Sequence, residues 1–179
     1  MAFTSKDDIN ILQPSDSAVV GAGTGNDVYI LALDRLSAGQ QVQISDAQGN
    51  NSLQLIGGLT ISSSIVAANA VQLTLSNGAV VTVLGADSFS YEIGGNPLTK
   101  TVGTVQNYTT FATSTLGASS VPTSGTVQGT KNVTVSSTAA GTGTGTTTNF
   151  HTSVTGVDSA SLLTTQSSII KALNSGEKD

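Results

Sequence analysis

Ala22-Gly23-Thr24-Gly25-Asn26-Asp27-Val28-Tyr29-Ile30 is a glycine-spaced turn that ends in Asn-Asp and runs straight into an apolar strand. Glycines at that spacing allow positive φ and bring successive carbonyl oxygens towards a common point. The unit recurs: Gly49-Asn50-Asn51 precedes Ser52-Leu53-Gln54-Leu55, 24 residues further on. A turn that feeds a strand and then repeats predicts rungs of a roll-like stack.

Strand signals continue on both sides of this unit. Upstream, Ile9 and Ile11, then Val19 and Val20, predict short strands separated by a Pro14-Ser15-Asp16 turn. Downstream, Val28–Leu33 is apolar throughout, Gln41-Val42-Gln43-Ile44 alternates, and Ser52–Ile56 alternates until Gly57-Gly58 stops it. Val71–Leu75 and Ala79–Leu84 flank Ser76-Asn77-Gly78, and Asn-Gly between alternating runs predicts a β-hairpin with a type I′ turn. Phe89, Tyr91 and Ile93 share one face of the next strand, and Gly94-Gly95-Asn96-Pro97 marks a domain or subdomain edge.

The second half changes character. Tyr108, Phe111, Ala112, Thr115 and Leu116 fall at helical spacing before Gly117, which predicts a short helix over about 106–116. Residues 121–155 are rich in Thr, Ser and Gly, with Val127, Val133 and Val135 at alternate positions, so extended strands are expected there. Asp158 as N-cap, with Leu162, Leu163, Ile169, Ile170 and Leu173 on one side, predicts a second helix over about 158–174. The expected fold is therefore mainly β, a β-roll or β-sandwich of short strands with two short helices. Three parts follow from the same pass: a lead-in strand segment 1–20, a β domain 21–95, and a Thr/Ser/Gly-rich segment 96–179 with its terminal helix.

Composition narrows the function. Charged residues make up 9% of the 179, against a typical quarter, so Ser, Thr, Asn and Gln must supply the polar surface. Little like-charge repulsion then opposes self-association. The net charge of −5 and the scattered Lys6, Arg35, Lys100, Lys131, Lys171 and Lys178 exclude a stripe that neutralises phosphates, so nucleic acid is not an expected partner. The absence of cysteine removes disulfides, zinc ribbons and thiol nucleophiles together. No apolar run is long enough to span a bilayer, and the polar Met1–Asp8 has no h-region of a secretory signal.

The Ala22–Ile30 turn resembles the nonapeptide of the repeats-in-toxin proteins, bacterial proteins exported directly to the cell exterior, and the likeness is best over 20–95. It departs from that pattern in having Ala22 for the first glycine, Asn51 for the second aspartate, and two copies that do not follow one another directly. The resemblance implies an extracellular surface-layer, adhesin or matrix protein, with the C-terminal helix as its export signal. It also implies calcium held between the two turns. The ligands would be the Asp27 carboxylate with the Ala22 and Thr24 carbonyls, and Asn51 with the Asp46 and Gln48 carbonyls. Read from the residues alone, Asn and Asp in such turns equally cap backbone amides.

Catalysis has little to draw on. His151 is the only histidine, and a hydrolase would need it to meet a serine and Asp46 or Asp87. The expectation is a non-enzymatic subunit that assembles with its own copies into an extracellular filament or surface layer by strand pairing. The predicted edges are Ile9–Leu12 and 126–148. The competing expectation is an adhesin module that binds a cell-surface glycan.

Overall fold

The chain of this computed structural model winds alternately between two β-sheets; residues 5–14, 16, 19–32, 35–95 and 102–136 are described. The first sheet takes β1 (Ile9–Ile11), β3 (Val28–Leu31), β5 (Ser52–Leu55), β9 (Ser90–Ile93) and β10 (Thr104–Asn107), in that order. The second runs β11 (Thr126–Gln128), β6 (Thr60–Ala67), β7 (Ala70–Leu75), β8 (Val80–Leu84), β4 (Gln41–Ser45) and β2 (Val19–Val20), with β12 (Val133–Thr134) also on β6. β1, β3, β5 and β9 are parallel to one another, as are β2, β4 and β8. From β1 to β6 each strand of one sheet is followed by a strand of the other, which is the winding of a parallel roll. The mainly β fold expected from the sequence is the fold observed.

The rungs explain the 24-residue echo. Val28 pairs with Ser52, and Ile9 with Val28 one rung earlier, so the three turns ahead of these strands lie above one another. The next rung is longer because it carries the β6–β7 excursion before Ser90 returns to pair with Ser52. Residues that the register aligns make continuous inward columns. Tyr29, Leu53 and Tyr91 form one, and Leu31 and Leu55 another; all five are fully buried. In the second sheet Val20, Ile44, Val83 and Val71 align in the same way. Burying each such leucine stabilises the fold by about 1.5–3 kcal/mol relative to exposure. All three columns belong to one core cluster that spans the two sheets.

The turns impose their own condition. Gly25 and Gly49 have φ of 136° and 84°, and a Cβ on Gly49 would overlap the carbonyl of Gly25 in the rung beneath. Only glycine lets the chain both turn and stack there.

Several expectations change in detail. The hairpin is present, but its loop has three residues, Ser76 to Gly78, with Gly78 at φ 83°. Gly78 donates its N–H to the Leu75 carbonyl and Leu75 donates to Ala79, as in a type I turn followed by a left-handed residue rather than type I′. The helix expected over 106–116 starts at Tyr108, as an α-turn (Tyr108–Thr110) that continues as a π-helix (Phe111–Thr115). Residues 104–107 are strand β10 instead, and Asn107 ends it as N-cap by accepting the Thr110 N–H at 2.8 Å. β10 pairs with β9, so the boundary expected at Gly94–Pro97 falls inside one sheet. Likewise 1–20 is more than a lead-in, because β1 and β2 complete the first rung. The strands expected in 121–155 are seen as β11 and β12. Residues 137–155 and the helix expected over 158–174 lie outside the described residues.

Candidate functional site

Two features stand out from the scaffold: the polar column at the stacked turns and the terminal edges of the two sheets. In the column, side chains bridge rungs in two rails. On the outer rail Asn50 N–H donates to Asn26 Oδ1 at 2.9 Å, and Asn26 N–H donates to Asp7 Oδ1 at 2.8 Å. On the inner rail Asp8 N–H donates to Asp27 Oδ1 at 2.8 Å, and Asp27 N–H to Asn51 Oδ1 at 2.9 Å. The Asp7-Asp8 pair is thus a third copy of the Asn26-Asp27 and Asn50-Asn51 dipeptides, and sequence reading missed it because no glycine precedes it. These acceptors satisfy amides that the turns leave without a ladder partner.

Inside the column lies a buried acidic group. Asp27 is fully buried and Asp46 nearly so. Tyr29 donates its hydroxyl to Asp46 Oδ2 at 2.6 Å and accepts the Ala22 N–H at 2.8 Å, while Gln48 N–H donates to Asp46 Oδ1 at 3.2 Å. The Asp46 carboxylate lies within hydrogen-bonding reach of Asp27. Burial, then the neighbouring Asp46 and Asp8 charges, push the Asp27 carboxyl above the ordinary aspartate value, against the lowering effect of the Asp8 amide. Burial and the Asp46 carboxylate likewise raise the Tyr29 phenol.

The six residues expected to hold calcium are therefore only partly brought together. Asp27 and Asp46 converge through their carboxylates, although Asp46 was expected to act through its carbonyl. Asn51 accepts the Asp27 amide and donates Nδ2 to the Gln48 carbonyl at 3.1 Å, so neither is directed at an ion. Ala22 is buried behind the Tyr29 hydroxyl and Thr24 is exposed. Calcium takes six to eight oxygens, and among the described residues no cluster of three or more acidic or histidine side chains is arranged to hold a metal. This set does not fit the calcium shell that the turn resemblance implies. The amide-capping role is the one these side chains perform.

The terminal edges differ from the rest of the surface. Ile9 is 73% exposed and Ile11 44% on β1, Val19 is 55% exposed on β2, and Val105 is 58% exposed on β10 with Val102 at 74% just before it. β1 and β2 end the two sheets on the first-rung side, and β10 ends the first sheet on the other. The ladder engages β1 through the Asp8 carbonyl, which accepts from Val28 N–H, and through Leu12 N–H, which donates to Ile30. By alternation Ile9 and Ile11 turn their peptide groups to the open side. The predicted Ile9–Leu12 edge is thus an edge of the first sheet. β11 and β12 place part of the predicted 126–148 edge on the second, while 137–148 lies outside the described residues.

The hydrolase constellation gains no geometry: Asp87 is exposed on a 3-10 turn (Ala86–Ser88), Asp46 is committed to Tyr29 and Gln48, and His151 lies outside the described residues. Among the described residues no helix is long and apolar enough to cross a membrane. In comparisons with protein-family models, curated proteins and solved structures, nothing matches this chain.

Proposed function

We propose that this chain is a structural subunit that assembles with copies of itself outside a bacterial cell by pairing the terminal strands of its sheets. One observation carries the reading. Of the six exposed large hydrophobic residues among those described, five lie on terminal strands or next to one, the sixth being Leu84. Scattered apolar residues are ordinary on a surface, but apolar residues collected on open strand edges form a template for another chain. The low charge of the whole chain supports the same reading, since no row of lysines or glutamates guards these edges. β1 and β10 lie at opposite ends of one sheet and run in opposite senses. Pairing β10 of one copy with β1 of the next would be antiparallel, heterologous and non-closing, which yields a polymer rather than a dimer. The glycine-spaced turn adds the export route of the proteins it resembles.

The test is sedimentation velocity over rising concentration, for the full chain and for an Ile9→Lys/Ile11→Lys variant. The expected result is a concentration-dependent polymer in the first and its loss in the second, with the variant's melting temperature within a few degrees. Polymer formation unchanged by the two lysines would remove β1 from the contact.

A further inference from the structure

The buried column contains an acceptor without a donor. Asp27 Oδ2 is fully enclosed and has no hydrogen-bond partner, while the neighbouring Asp46 carboxylate already receives Tyr29 O–H and Gln48 N–H. Two ionised carboxylates in contact, away from water, repel each other and leave lone pairs unsatisfied, at a cost that proteins relieve by binding a cation or retaining a proton. The charges acting on Asp27 come from Asp46, which follows β4, and Asp8, which precedes β1; both are acidic. The phenol of Tyr29 on β3 donates to Asp46 and remains neutral there.

We infer that Asp27 and Asp46 share one proton, carried on Asp27 Oδ2 and donated to the Asp46 carboxylate, so that the start and the end of the second rung, ahead of β3 and after β4, are fastened by an acid–carboxylate bond. The assignment of partners follows from donor supply. Asp46 already receives two donors, whereas Asp27 has the Asp8 amide on Oδ1 and nothing on Oδ2. A proton meets this need with one bond, where calcium would require oxygens that the turn has committed elsewhere. The bond has a mechanical consequence. Asp27 Oδ1 holds the Asp8 amide at the entry to β1, so loss of the proton loosens the edge strand of the first sheet. This inference is independent of whether the chain assembles.

The sign follows from linkage. Asp27 binds its proton more tightly folded than unfolded. The stability it contributes is complete below the unfolded aspartate value near pH 4 and is lost as pH rises through its higher folded value. The test is thermal melting of the full chain in chelator, from about pH 4 to about pH 8, beside Asp27→Asn and Asp46→Asn. Asp27→Asn supplies the missing donor without a titrating proton, whereas Asp46→Asn removes the facing charge but turns an oxygen that accepts from Tyr29 or Gln48 into a donor. Both variants should lose part of the wild-type decline with pH, and Asp27→Asn should melt above wild type at the alkaline end. Should Asp27→Asn fail to fold, Asp46→Asn carries the comparison. Infrared spectra of the wild type at neutral pH should contain a carboxylic-acid carbonyl band that Asp27→Asn removes. Equal pH slopes in wild type and variants would overturn the inference. So would a wild type without the acid band whose melting temperature rises with added calcium, an outcome that would assign the site to the ion.

Discussion

The parallel rungs and the β6–β7–β8 meander are built from the same residue types yet are held together differently. In the meander, Asn77 and Gly78 close a three-residue loop, and antiparallel pairing follows directly from Thr74 to Val80. In the rungs, Asp27 reaches Asn51 across 24 residues and Asn26 reaches Asp7 across 19, with no local turn to set the register. Parallel pairing must therefore be indexed by something other than chain proximity. The Asx rails and the glycine overlap at Gly25 and Gly49 serve that purpose. The rungs should accordingly be sensitive to single polar or glycine changes that the meander tolerates.

The sharpest way to break this contrast is at glycine. Gly49→Ala meets both a left-handed backbone and the Gly25 carbonyl, and should cost about 3 kcal/mol or more in urea denaturation. Gly58 has φ 91° but open space around it, so Gly58→Ala should show only the backbone penalty of about 1–2 kcal/mol. Equal losses at the two sites would mean that rung stacking adds nothing to the requirement for glycine.

A smaller difference is expected at asparagine. Asn51→Ala strands the buried Asp27 amide and the Gln48 carbonyl, and should cost about 1–3 kcal/mol. Asn77→Ala loses bonds to Ala79 and Leu36 at a partly exposed loop, where water substitutes, and should cost about 0.5–1.5 kcal/mol. Chemical denaturation of both variants measures the gap. A larger loss at Asn77 would reverse the proposed hierarchy.

These contrasts also mark what the sequence disclosed. The rung unit was legible because glycine and Asx chemistry is local, and its 24-residue echo lies on the surface of the string. The hairpin was legible for the same reason. β6 was not, because Ser62, Ser63 and Ser64 carry no apolar alternation and the bulge between Ile61 and Ser63 shifts the inward face from odd to even positions. β10 was hidden under the helix pattern, since the apolar spacing that predicts the helix says nothing of the Asn107 cap that delays its start. The carboxylate role of Asp46 was least accessible. It depends on Tyr29 reaching across 17 residues from another strand, and on a burial that no pattern around Asp46 announces.

The claim that matters most is that the open first-rung edge and the β10 edge join one copy to the next. Negative-stain microscopy of the purified full chain at high concentration, with calcium and with chelator, tests it most directly. Ordered polymers of uniform width are expected under both conditions, abolished by the Ile9→Lys/Ile11→Lys pair. Monodisperse particles of single-chain size at every concentration, in both buffers, would contradict it.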